Sequence, residues 1–203
     1  MRGLESAPVR VGATVIESAR LTIRPFREDD AADLHAYLSD PAVYAFEPGE
    51  PVDLVRARAI ARERAAAGDF WALEPRSVGR MVGHLSLSQV EPLAWRTWEL
   101  GFIVHPAHQR RGYASEGAAA LLRHAFANLA AHRVVAHCNP DNVASWRALE
   151  KAGLRREGLL RRSACLRRGA DGREIWTDTI AYAMLAGDAA AGTAALRDGG
   201  GAP

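Results

Sequence analysis

Along this chain the spacing of apolar positions changes several times, and each change marks an element. Leu21, Ile23 and Pro25 alternate with Thr22 and Arg24, the period of a short strand with one buried face. Asp29 and Asp30 stand where a helix cap belongs, ahead of a periodic stretch that ends at Leu38. Pro51 and Asp53 open a second helix, rich in Ala and Arg, that stops at Gly68. Residues 70–73, 81–90 and 98–104 read as strands, the first two joined through the turn-prone stretch 75–79. From Ser115 onward, Leu121, Leu122, Ala125, Phe126 and Leu129 make a helical stripe. Residues 134–138 form a short apolar strand, and 142–152 a helix with Gly153 as its C-terminal cap. Residues 154–166 and 174–185 pair as a hairpin turning at 169–172. The order β-α-α-β-β-β-α-β-α-β-β predicts an α/β (α+β) fold, a mixed sheet of about seven strands with helices on both faces. One domain is expected over 18–186, between an N-terminal arm (1–17) and an Ala/Gly-rich tail (187–203).

Composition narrows the class more than it names one. A length of 203 residues allows a substantial single core. No apolar run approaches the roughly 18 residues that cross a membrane, and the N-terminus has no leader pattern, so a cytoplasmic, membrane-free protein is expected. A net charge of +2 gives no ground for nucleic-acid binding. Cys138 and Cys165 make no disulfide framework, and Lys151 is the only lysine. Among the histidines, His105 and His108 are closely spaced but share a loop with Pro106 and lack a third ligand, so no metal is expected.

The chemistry-bearing stretch runs from Glu99 into Gln109-Arg110-Arg111-Gly112-Tyr113-Ala114, where a strand meets a helix. Free N–H groups at a helix start, with the helix dipole, attract anions. Gly112 permits unusual backbone angles, Ala114 admits close approach, and Arg110 and Arg111 add positive charge. Read alone, the loop fits equally an ordinary turn with solvated arginines. It is neither GxGxxG nor GxxxxGK[ST].

Gln109-x-x-Gly112-x-Ala114 resembles the Q/R-x-x-G-x-G/A pyrophosphate loop of the GNAT (GCN5-related N-acetyltransferase) superfamily. A second segment, Asn139…Asn142…Ser145…Leu149-Glu150-Lys151-Ala152-Gly153-Leu154 with Glu157-Gly158, is similar to the N-x-x-S-x-x-x-L-E-K-x-G-F…EG of its RimJ/RimL branch. Arg20-Leu21-x-Ile23-Arg24-Pro25 and Asp178…Tyr182 agree, in the right order. The resemblance implies a sheet splayed between its fourth and fifth strands, with coenzyme A (CoA) in the splay. Ile103 and Val104 would flank the thioester, Gln109 to Ser115 the pyrophosphate (Gln109, Arg110, Arg111, Gly112, Tyr113, Ala114, Ser115), and Asn142 the pantetheine arm.

The implied activity is transfer of an acetyl group from acetyl-CoA to a primary amine, either a protein N-terminal amine or a small molecule. Succinyl-CoA as donor, or cofactor binding without catalysis, stays open. Direct attack needs a base and an acid. Glu99 is the candidate base, with a water chain as the alternative, and Ser145 the candidate acid or CoA hydrogen-bond partner. The superfamily's usual tyrosine is replaced here by Leu149. A ping-pong route through Cys138 beside His137 is disfavoured, because neighbouring strand residues face opposite ways. Tyr44, Phe46, Glu47 and Trp98 are candidates to line the acceptor pocket, with Glu47 attracting a cationic amine. The family's frequent two-fold pairing is compatible with a homodimer.

Overall fold

The computed structural model describes residues 14–169 and 171–188; all but the first two residues of the expected tail and all but the end of the expected arm lie outside them. Among the described residues the chain builds one open sheet from β1 (Ile16–Glu17), β2 (Leu21–Pro25), β3 (Phe70–Pro75), β4 (Gly83–Val90), β5 (Thr97–Val104), β6 (Arg133–Cys138), β7 (Arg155–Arg168) and β8 (Glu174–Leu185). The spatial order is β1-β2-β3-β4-β5-β6-β8-β7. Neighbours are antiparallel except for the parallel pair β5 and β6. The helices α1 (Ala31–Leu38), α2 (Leu54–Ala67), α3 (Tyr113–Asn128) and α4 (Val143–Ala152) cover its faces. The strand beyond the expected seven is β1, whose Ile16 and Glu17 pair with Ile23 and Thr22. Two residues cannot show a period, so only the partner strand reveals it.

Alternation in the strands makes two apolar layers. Leu21, Leu73, Leu85, Leu87, Trp98 and Leu100 meet Leu121, Leu122 and Ala125 of α3 and Leu149 of α4. On the other face Leu34, Tyr37 and Leu38 of α1 and Ala61 of α2 pack on Ala72 and Met81. Trp98 therefore corrects the sequence expectation. It is 1% exposed in the first layer and forms no wall of an acceptor pocket.

Two buried polar contacts fix α1 to the sheet. Arg24 donates to both oxygens of Asp30 at 2.9 and 2.7 Å and to Glu74 at 2.9 Å. His84 is fully enclosed, and burial, reinforced by the Arg64 charge, holds its imidazole neutral, well below its ordinary pKa. Its Nδ1 lies 2.7 Å from the Tyr37 hydroxyl and 3.3 Å from Arg64, so it accepts from both and carries its proton on Nε2.

The feature that positions the site is a break in the middle of the sheet. β5 and β6 pair only through Thr97, Trp98 and Glu99 against Arg133, Val134 and Val135. A bond from the His132 N–H to the Arg96 carbonyl at 3.0 Å closes this end. Beyond Glu99 the strands diverge, and β5 stays paired only with β4, out to Val104 against Gly83. This is the splay expected between the fourth and fifth strands of the sequence reading.

Candidate active site

A cleft of about 660 Å³ opens on that gap. Phe102, Ile103 and Val104 of β5 form one wall, and the loop through His108, Gln109 and Arg110 leads to the start of α3. Gly112, Tyr113, Ala114 and Ser115 line the floor, Asn142 and Ser145 of the α4 start lie opposite, and Phe46 and Glu47 close one side.

The floor presents main chain rather than side chains. Gly112 caps α3 with φ at +80°, and no side chain caps the helix N-terminus. The Ser115 hydroxyl donates to the Gly112 carbonyl at 3.0 Å, so that side chain is committed. The Tyr113 ring is buried beneath the Arg20 guanidinium, 5.2 Å from its centroid. What remains toward the cleft is the first turn's N–H groups, the arrangement that favours an anion. Arg110, itself at φ +60°, reaches the cleft. The Gln109 amide donates to the Val104 carbonyl at 3.0 Å and ties the loop to the strand end.

Glu116 in the first turn of α3 would oppose an anion, but it is held on the sheet side. It accepts from the Ser18 hydroxyl, the Arg20 N–H and Arg20 Nε at 2.8, 2.7 and 2.7 Å. Partial burial pushes its carboxyl up, and these contacts outweigh that, holding it below the usual range.

Three further expectations are corrected. Arg111 does not line the cleft; its guanidinium folds back toward the Ala107 carbonyl at 3.5 Å. Tyr44 sends its hydroxyl to the Leu38 carbonyl at 3.0 Å, so it braces the loop that carries Phe46 and Glu47 rather than lining the pocket. Glu99 lies at the closed end of the splay, outside the cleft lining, 2.8 Å from His137 Nδ1. At about 3.3 Å per residue its Cα is on the order of 13 Å from that of Ile103. The contact with His137 holds its carboxyl below the ordinary value and raises His137 in return.

Cys138 and His137 face opposite sides, as the strand period requires. Burial pushes the Cys138 thiol up, the neighbouring Ser145 hydroxyl acting the other way, so the sulfur is held as a thiol, not a nucleophilic thiolate. The Asn142 side-chain oxygen is spent capping α4, accepting from the Ser145 N–H at 3.1 Å, which leaves its amide NH₂ for the cleft.

The sequence reading missed Arg147 and Lys151, which line the cleft from α4. Their spacing of four puts them on one helical stripe with Ala144 and Ala148, a signal that was there to read. His108, expected from the sequence as a solvated or substrate-facing histidine rather than a metal ligand, also lines the cleft, with a buried Nδ1 that has no partner among the described residues. Burial first, then the charges of His105, Arg111 and Arg80, lower its pKa.

Residues 20–155 match the acetyltransferase (GNAT) domain family. The chain belongs to that family. It is 30% identical over 171 residues, 84% of this chain and 96% of the relative, to Bacillus subtilis YnaD, described as an uncharacterized N-acetyltransferase. A solved GNAT-family acetyltransferase from Bacillus anthracis is 30% identical, with a TM-score of 0.77 over 86% of this chain and 99% of that one. Mycobacterium smegmatis RimJ, solved in complex with CoA-disulfide, is 27% identical, with a TM-score of 0.73 over 95% and 98%. The protein is thus an acyltransferase enzyme on the open mixed sheet of the GNAT superfamily, as the sequence resemblance implied.

Proposed function

We propose that this enzyme transfers an acetyl group from acetyl-CoA to a primary amine by direct attack, with no acyl-enzyme intermediate. The observation that carries the reading is the coincidence of the β5/β6 gap with an anion-favouring helix start in one cleft. The residues present fit such a donor. The N–H groups of Tyr113, Ala114 and Ser115, with Arg110, suit a pyrophosphate, and Arg147 and Lys151 suit further phosphate charge. Bound acetyl-CoA supplies a thioester carbonyl open to attack by a neutral amine.

The chain's own groups then have distinct tasks. Main chain at Ile103 and Val104 is left without a strand partner on the β6 side, and an N–H there stabilises developing negative charge on the carbonyl oxygen. Asn142 orients the pantetheine arm through its free amide NH₂. Ser145, in the first turn of α4, gives a proton to the departing sulfur. The buried, protonated Cys138 favours direct transfer over a covalent relay. The acceptor is a protein N-terminal amine, as in the RimJ/RimL branch, or a small-molecule amine.

Thermal stability tests the donor. Near-saturating CoA and acetyl-CoA should raise the melting temperature, because a ligand that binds only the folded state stabilises by about 2.7 kcal/mol at a hundred times its Kd. NAD and ATP should give no comparable shift. No shift with any CoA compound overturns the reading.

The phosphate assignment has its own test. Arg147→Ala together with Lys151→Ala should weaken CoA binding by about tenfold, and the loss should shrink as salt rises, because both side chains are exposed. Calorimetric titration at two ionic strengths measures it, and unchanged affinity at low salt removes both residues from the site.

A further inference from the structure

We propose that Glu47 is the general base of this enzyme, taking the proton that a cationic amine must lose before it can attack. The proposal rests on the N-acyltransferase reading above and adds the residue that makes it work at neutral pH.

Position comes first. Glu47 lines the same cleft as Ile103, Val104 and Ser145, whereas Glu99 does not. Its loop is braced. The Asp40 side chain accepts from the Ala42 N–H at 2.9 Å, and the Tyr44 hydroxyl holds the Leu38 carbonyl. The neighbouring Phe46 contributes an aromatic surface to the same wall.

Availability comes second. The other nearby carboxylates are engaged: Glu99 by His137, Glu150 by the Tyr182 hydroxyl at 3.0 Å, and Glu116 by Arg20. Glu47 has no such partner among the described residues. Burial alone acts on it, and pushes its pKa up to about 7. The titratable and charged groups around the cleft are His108 and Arg110 on the loop after β5, Arg147 and Lys151 on α4, and Cys138 on β6. A carboxylate whose pKa sits near the working pH is both free to accept a proton and basic enough to hold it.

The step balances simply. An ammonium gives one proton to the Glu47 carboxylate. The free amine forms the N–C bond, Ser145 gives its proton to the sulfur as the C–S bond breaks, and a second amine proton replaces it on Ser145. Glu47 returns its proton to solvent, so amide, thiol and one proton are the products.

The test separates a base from a structural carboxylate. Benzylamine is cationic at pH 7 and p-anisidine is not, so only the first needs deprotonation. Glu47→Gln should lower kcat for benzylamine by about 100-fold, with p-anisidine changed less than about threefold. In the wild type kcat/KM should fall tenfold per pH unit below about 7. That limb should vanish in Glu47→Gln and persist in Glu99→Gln. Independently of turnover, ¹³C NMR of glutamate-labelled protein with CoA bound should show one carboxyl titrating near 7 that is missing from Glu47→Gln. Equal losses on both amines, no turnover of either, a limb that survives in Glu47→Gln or follows Glu99, or no carboxyl titrating near 7, overturns the proposal. If CoA still stabilises the wild type and acetyl transfer continues, only the base assignment falls. If CoA fails to stabilise it, the donor reading falls first.

Discussion

Gly112→Val is expected to abolish stabilisation by CoA. Gly112 sits at φ +80°, where a side chain is strained, and a Cβ there would come within 3.2 Å of an Arg20 guanidinium nitrogen. The strain is of order 1–3 kcal/mol, and a β-branched residue sits at the upper end. The backbone can relieve it only by rotating the first turn of α3, and that rotation disperses the N–H groups aimed at the cleft. The ligand-free protein should remain folded, because the Arg20 side chain is exposed and able to shift. Gly112→Ala, with less bulk, should retain part of the shift. Melting curves with and without CoA decide it, and a full shift retained in Gly112→Val would remove the helix start from the binding site.

Asp30→Ala should cause the larger loss of stability. Asp30 is 4% exposed and accepts two bonds from Arg24 and one, at 2.7 Å, from the Arg27 N–H. Removing it leaves Arg24 enclosed with Glu74 as its one charged partner beside the Pro25 carbonyl, and a stranded buried charge costs about 3–5 kcal/mol. Replacing both partners, Arg24→Met with Asp30→Leu, should recover much of that loss, because no charge is then left buried. Urea unfolding gives both numbers, and a loss below about 1 kcal/mol in Asp30→Ala would show that water reaches Arg24.

The parts of this molecule legible in the sequence are those set by local spacing. The alternation of Leu21 and Ile23, the stripe on α3 and the Gly153 cap on α4 all follow from neighbours in the chain. The loop from Gln109 to Ala114 is likewise a local signal, since the strand before it and the helix after it define the turn. What sequence could not give depends on distant partners. Glu99 and Trp98 are adjacent, and only the register of β5 between β4 and β6 decides which is buried in the α3 layer. Tyr44 read as a pocket aromatic because nothing nearby shows that its hydroxyl is spent on Leu38. Glu47 reads from the sequence only as a charge for a cationic amine, because its partial burial arises where three separate segments meet.

The break between β5 and β6 also bears on solubility. An unpaired strand edge at the rim of a sheet invites pairing with other chains, a hazard proteins usually manage with charge, proline or bulges. Here such an edge lies in the interior of the sheet, flanked by α4 on one side and the loop bearing Phe46 on the other. The protein thereby keeps some main-chain bonding capacity inside the sheet, facing the cleft.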